Sequence, residues 1–493
     1  MAKMLARSEA DRVVLEQPAV QALLASVRGA VAVTDDGVSV ENEDRLRREA
    51  LDRLAWAAVF GDDADVRDTA RWLIGEIGRQ LGVRPASIDA FYRARGRGEI
   101  GGFTVPAINV RAMAYDTGRA LFAAARRLDV GALIVEIARS EIGYTDQRPA
   151  EYVAVMTAAA LREGWTGPLF VQGDHFQINA KKYTSDPGAE AKAVRNLIRE
   201  AIHAGFYNID VDTSTLVDES QPDLDAQQRL NYTLSAQFTR FIRHLEPEGV
   251  TVSIGGEIGE VGGHNSTPEE LRAYMTGYLR ALAEESAKEG RELPGLSKIS
   301  VQTGTTHGGV VLPDGSIAQV KIDFDTLAVL SRIAREEYGL AGAVQHGAST
   351  LPDEAFDKFP QVETAEIHLA TGFQNLLFEH PALPTELRAR MYDYCLATFG
   401  DERKPGETDE QFLYKVRKKT LGVFKRDLWS LPEPNRAALR EALEAKFAFL
   451  MERLRVAHTR ELVARYVAAP DRPRPGPTAL RVAAAADDWE LSD

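Results

Sequence analysis

The chain has 493 residues, 44% of them hydrophobic and 27% charged, with one cysteine and a formal net charge of −14. That composition excludes collagen-like, disordered and disulfide-scaffold classes, and the acidic surplus argues against a nucleic-acid partner. Cys395 can form neither an internal disulfide nor a multi-thiolate zinc cluster, so a reducing, cytoplasmic location is expected. The apolar runs are too short to cross a bilayer, and residues 1–11 carry no export signal, so no membrane partner is expected either.

In chain order, residues 1–98 read as a helical N-terminal extension, with apolar residues at three- and four-residue spacing over 41–60 and 65–81 and no repeated strand signal. Residues 99–383 change character. Short β-rich runs at 103–110, 132–138, 168–174, 207–213, 250–257, 297–303, 342–346 and 364–369 read as eight strands. Helical patterns such as 112–128, 189–204 and 268–287 separate most of them. Alternation of this kind, with eight units, fits an α/β fold closed into a (β/α)8 barrel better than an open sheet. Residues 384–468 return to helix, notably over 408–421 and 434–468. The stretch 469–493 holds Pro470, Pro473, Pro475 and Pro477, then an alanine run and acidic residues, and reads as a flexible tail.

In such a barrel, chemistry sits where strands end and βα loops begin. Of the nine histidines, His203, His244 and His458 fall in helical patterns and His380 precedes a loop proline. His175 ends the third strand, His307 follows the sixth, and His346 ends the seventh. A lone histidine at such a place is more often a satisfied core residue than a ligand. Three on convergent strand ends instead suit a catalytic zinc ion that keeps one position open for substrate. Glu136, Asp212 and Glu257 lie at or near other strand ends, where they suit orientation of the ligands, a second cation, or structural ion pairs on the rim.

Five segments then point to a family. Phe103-Thr-Val-Pro-Ala-Ile-Asn109, Asp174-His175, Gly256-Glu257-Ile-Gly-Glu-Val-Gly-Gly263, Gly304-Thr-Thr-His307-Gly308 and His346-Gly-Ala-Ser349 resemble, in order and spacing, the class II zinc-dependent fructose-bisphosphate aldolases. The resemblance covers about residues 99–380. It implies reversible cleavage of a ketose bisphosphate between C3 and C4, a zinc ion on His175, His307 and His346, and a homo-oligomer acting on a small sugar phosphate. It further implies that Asp174 exchanges a proton at the C4 oxygen, that Glu257 marks an accessory cation position, and that Asn109 is an active-site asparagine. Gly308, Gly347 and Ser349 match positions that hold a substrate phosphate, a task suited to a strand-end glycine nest.

Three departures alter the grip on substrate. After the Gly262-Gly263 pair the family carries acidic residues, one of them the base at the triose carbon; here His264-Asn265 stands there. His264 either replaces that base, with a pKa near neutrality, or is a plain loop histidine. On the eighth strand the family's Asn-Ile-Asp-Thr-Asp becomes His368-Leu-Ala370-Thr371-Gly372, which keeps Thr371 as a substrate contact and loses two others. A phosphate-contacting serine becomes Ala138, followed by Arg139. The loop 177–188, with Lys181 and Lys182, reads as a lid over a phosphate or as a solvated basic turn. The first expectation is therefore a zinc aldolase for a phosphorylated ketose, with fructose 1,6-bisphosphate as default. A second is a metal-dependent aldolase or epimerase for an unphosphorylated or acidic sugar, since polar contacts decide which sugar fits. A third, a retired barrel serving as accessory subunit, would have eroded metal ligands, and these are intact.

Overall fold

Short, β-branched runs separated by amphipathic helices close here into a cylinder. The computed structural model describes residues 8–34, 37–259, 263–305, 312 and 322–481. Its strands are β1 (Val31–Thr34), β2 (Gly37–Val40), β3 (Val83–Ala86), β4 (Val105–Asn109), β5 (Ile134–Ala138), β6 (Gly167–Gln177), β7 (Asn208–Asp212), β8 (Ser253–Glu257), β9 (Lys298–Val301), β10 (Ala343–Gln345) and β11 (Glu366–Leu369). Strands β4 to β11 run in the order β6-β5-β4-β11-β10-β9-β8-β7, and β7 pairs back onto β6, which closes a parallel barrel. This is the (β/α)8 barrel expected from the alternation. Every residue of β4, β5, β7 and β8 is buried, as strands covered by helices outside and packed side chains inside must be.

The helices between strands form for local reasons. In Pro187–Ala204, Asp186 caps the start by accepting from the Ala189 N–H, and proline at the first position costs no needed donor. Gly205, with φ 119°, ends the helix in a left-handed conformation that a side chain would strain. Val194, Leu197, Ile198, Ala201 and Ile202 recur at helical spacing and turn one face to the barrel. Truncating Ile198 to alanine there would cost about 2–5 kcal/mol, because a fully buried side chain leaves a cavity.

Three expectations about the flanks are corrected. The N-terminal zone is not purely helical: β1 and β2 pair as an antiparallel hairpin, and β3 adds in parallel beside the start of β6. The single helix read over 434–468 is two, Glu433–Arg453 and Arg460–Tyr466, because Arg455 and His458 take φ of 58° and 61° between them. Nor are residues 470–481 loose. The Trp72 indole donates to the Arg474 carbonyl at 2.9 Å, and the Arg474 N–H donates to Glu76 at 2.8 Å. Thr478 donates its N–H and hydroxyl to the buried Asp11 carboxylate at 2.9 and 2.7 Å, so residues 470–481 dock on the N-terminal helices. Among the described residues no helix is long and apolar enough to cross a membrane.

Candidate active site

The feature that builds the site is an irregularity in β6. Its pairing with β7 shifts register between Gly173 and Phe176, and His175 within that shift has φ 41°. A bulge inserts an extra residue and re-aims side chains, and a non-glycine residue in the left-handed region is held there against a cost of about 1–3 kcal/mol. Here it brings Asp174 and His175 together at the C-terminal rim, and ligand atoms of Asp174, His175 and His346 converge within 4.8 Å of one another. His346 follows β10, with its ring 4.2 Å from that of His175 between centroids.

The carboxylates read from the strand ends orient this group. His175 Nδ1 lies 2.8 Å from Asp212 and 3.2 Å from Glu257, which directs Nε2 the other way. A histidine whose far nitrogen is fixed by a carboxylate is the usual arrangement behind a metal ligand. Burial alone would raise the Asp212 carboxyl, but hydrogen bonds from His175, Ser214 and Gln177 outweigh it and hold Asp212 below its ordinary value. Glu257 goes the other way, pushed up to about 8 by burial and by the neighbouring Asp212 charge. Asn109, at the end of β4, donates to Glu141 at 2.6 Å and to Asp174 at 3.4 Å, and Arg111 pairs with Glu141 at 2.5 Å. The departures on β11 now acquire a place. The His368 ring lies tilted against His346 with centroids 4.0 Å apart, and its Nδ1 lies 3.0 Å from Glu136 and 3.2 Å from Asp174. Below it, Lys298 Nζ donates to Gln172 at 2.8 Å and pairs with Asp210 at 2.9 Å and Glu366 at 2.5 Å.

The donor set fits a divalent cation. Two imidazoles and the Asp174 carboxylate converge on one point, and five further buried carboxylates, Glu136, Asp210, Asp212, Glu257 and Glu366, lie around it with Lys298 among them. Glu136 Oε1 is buried without an aligned hydrogen bond, a charge that a cation at the site would offset.

Above these groups opens a cavity of about 1020 Å³, lined from the ends of β4, β5, β6, β10 and β11. Asp174, His175, His346, Gly347, Ser349 and Thr371 all line it, and so do His368 and Glu136. Gly347 has φ 68°, and the Ser349 hydroxyl accepts from the Ala370 N–H at 2.6 Å. The far wall comes from the C-terminal extension: Lys404, Lys415, Lys418 and Tyr414 face the cavity, joined by Lys182 from the loop after β6. Lys415 is paired with Glu407 at 2.9 Å, whereas Lys418 lies over the Tyr144 ring at 5.8 Å. Burial, with Arg111 nearby, lowers the Lys418 ammonium below its ordinary value.

His307 and Gly308, read as ligand and phosphate contact, lie outside the described residues. His264 is not brought to the site. Its side chain is exposed and pairs with Glu270 at 2.7 Å and Glu219 at 3.2 Å, and it is not among the residues lining the cavity. The sequence carried a signal for His368: Glu366 and His368 stand two apart on one strand, so both point into the barrel. Nothing in the sequence showed that residues 404–418 fold back over the rim.

The barrel architecture recurs in solved structures. A fructuronate-tagaturonate epimerase from Cohnella laeviribosi superposes with a TM-score of 0.51 at 14% identity, covering 88% of this chain and 89% of its own. A fructose-bisphosphate aldolase from Campylobacter jejuni matches at 17% identity and a TM-score of 0.44, covering 76% of this chain and 97% of its own. No curated protein matches by sequence. The model of the family described as fructose-bisphosphate aldolase class-II matches residues 96–426, the whole barrel and the start of the C-terminal extension. The chain belongs to the class II fructose-bisphosphate aldolase family.

Proposed function

We propose that the chain is a zinc-dependent aldolase that reversibly cleaves a ketose with an anionic end, for which fructose 1,6-bisphosphate, giving dihydroxyacetone phosphate and glyceraldehyde 3-phosphate, is the reference substrate. The observation that carries this reading is the β6 bulge, which sets Asp174 and His175 beside His346 at the floor of a cavity walled by lysines. His175 and His346, with His307, would hold the zinc ion, which when bound polarises the substrate carbonyl and stabilises the charge left on the triose when the bond breaks. Asp174 takes the proton from the C4 hydroxyl as the C3–C4 bond opens, and Asn109 holds Asp174 in place. With His264 at the surface, the proton at the triose carbon is handled by His368, which touches both Asp174 and Glu136. Lys418 draws the anionic end of the sugar to the far wall. Glu257 is reserved for orientation of His175 or an accessory cation. The enzyme works as a cytoplasmic homo-oligomer.

A second reading is epimerisation of an acidic ketose. It is favoured by His368 standing as a further proton carrier beside Asp174, and by Ala138 where a phosphate-contacting serine would be. It is also the reaction for which the Cohnella epimerase is named, and that likeness covers 88% of this chain. Incubating zinc-loaded protein with fructose 1,6-bisphosphate and, separately, with fructuronate separates the two. Triose phosphate release supports the aldolase. Inversion at one carbon without triose release supports the epimerase, and no conversion of either sugar overturns both.

A further inference from the structure

A second cavity, of about 470 Å³, lies at the opposite end of the barrel. Its walls are the helix Ala64–Leu81, β3, the connections that lead into β7 and β8, and the docked segment around 470–480. Connections that enter strands mark the N-terminal face, away from the rim where the reaction is placed. Six arginines line it, Arg71, Arg79, Arg84, Arg199, Arg472 and Arg474, and the one carboxylate among the described lining residues is Glu76. In a chain with a net charge of −14 this is a local reversal of the field.

Two of these cations are already neutralised. Arg71 pairs with Glu151 at 3.5 Å, and Arg79 pairs with Glu76 at 3.0 Å and Asp471 at 3.1 Å. Three others are oriented but not neutralised. Arg84 Nε donates to the Arg79 carbonyl at 2.8 Å, Arg472 to the Glu248 carbonyl at 3.2 Å, and Arg474 to the His203 carbonyl at 2.8 Å. Among the described residues none of the three has a carboxylate within ion-pair distance. A backbone carbonyl fixes a guanidinium in direction and leaves its charge and its remaining donors in place. Arg472 stands exposed at the mouth, while Arg84 and Arg474 are half-buried within.

We propose that this cavity binds a small phosphorylated metabolite, with Arg84 and Arg474 taking its phosphate oxygens and Arg472 closing the mouth. A phosphate offers several terminal oxygens to several guanidinium forks at once, whereas a single carboxylate satisfies one. The volume suits a compact metabolite. A ligand there touches the N-terminal extension, the barrel and the C-terminal segment together, so it also stabilises their docking by mass action.

The test is calorimetric titration of the full chain with inorganic pyrophosphate, and with citrate as a carboxylate control, at constant ionic strength. The wild type is compared with Arg84→Gln/Arg474→Gln and with Lys418→Gln, which alters the reaction cavity alone. The expected result is a saturable event, stronger for pyrophosphate than for citrate, that Lys418→Gln retains and the double variant weakens about tenfold or more. A rise in melting temperature with pyrophosphate should vanish in the double variant. Binding untouched by the double variant, equal binding of citrate, or no saturable heat would overturn the proposal. If the double variant does not fold, Arg472→Gln at the exposed mouth serves instead, and unchanged affinity in it overturns the proposal.

Discussion

Replacing Asp212 by asparagine tests the metal site through a residue that does not itself have to touch the metal. In the structure Asp212 accepts from Gln177 at 2.6 Å, from the Ser214 N–H at 3.1 Å and hydroxyl at 2.6 Å, and meets His175 Nδ1 at 2.8 Å. A carboxylate requires the proton on Nδ1, which leaves Nε2 with its lone pair free for a cation. An asparagine that turns its NH₂ toward His175 requires the opposite tautomer and puts the proton on Nε2. Loss of such an orienting partner typically lowers metal affinity 10–100-fold, or about 1.4–2.7 kcal/mol. The volume hardly changes, so the fold should survive. Competition with a zinc chelator gives the affinity, and a melting curve of metal-free protein checks the fold. Unchanged zinc affinity in a folded variant would remove Asp212 from the metal site.

Four further outcomes follow from the same geometry. Asp174→Asn should keep the fold and slow turnover by about 10²–10⁴, read from steady-state rates; near-normal turnover would take Asp174 out of the proton path. Lys418→Met should raise KM for an anionic ketose about tenfold with little change in kcat, and an equal fall in kcat would mean that the lysine acts on the reacting carbons instead. Lys298→Met strands Asp210 and Glu366 as buried charges, so denaturant unfolding should show a loss of about 3–5 kcal/mol; a loss well under 1 kcal/mol would mean that these carboxyls simply protonate. Burial would raise the Asp11 carboxyl, but its bonds to Ser8 and Thr478 hold it below the ordinary value. Its contribution to docking the 470–481 segment is therefore present above its unfolded value of about 3.9 and lost as pH falls through the lowered folded value. Hydrogen exchange in that segment should rise in that acid range, and Asp11→Ala should show the rise already at neutral pH.

The barrel was legible because its strands are short β-branched runs and its helices carry period-3.6 faces with capped ends, as in Pro187–Ala204. The β1–β2 hairpin was missed although alternating valines flank an Asp-Gly step, because two four-residue strands inside helical surroundings give little periodicity to read. Asp174 came through the family resemblance, and His175 and His346 could be read together because strand ends converge in any such barrel. The bulge that presents them could not, since a register shift is set by both strands of a pair rather than by either sequence. Lys298 in the barrel interior and the lysines of residues 404–418 over its rim are long-range outcomes. A lone charge in a strand, or a basic stretch in a distant helix, says nothing by itself about which carboxylate or cavity it will meet. His264 shows the converse: its position in the family pattern suggested a base, but its side chain is exposed and paired with Glu219 and Glu270, away from the cavity.

The central claim is that a single metal ion at the β6 bulge makes this barrel a sugar-cleaving enzyme. It is tested most directly by titrating zinc into metal-free protein while following triose phosphate release from fructose 1,6-bisphosphate. Release should be absent without metal and should rise to level off near one equivalent per chain. Full activity in the metal-free protein, or none at saturating zinc with the ion bound, would contradict it.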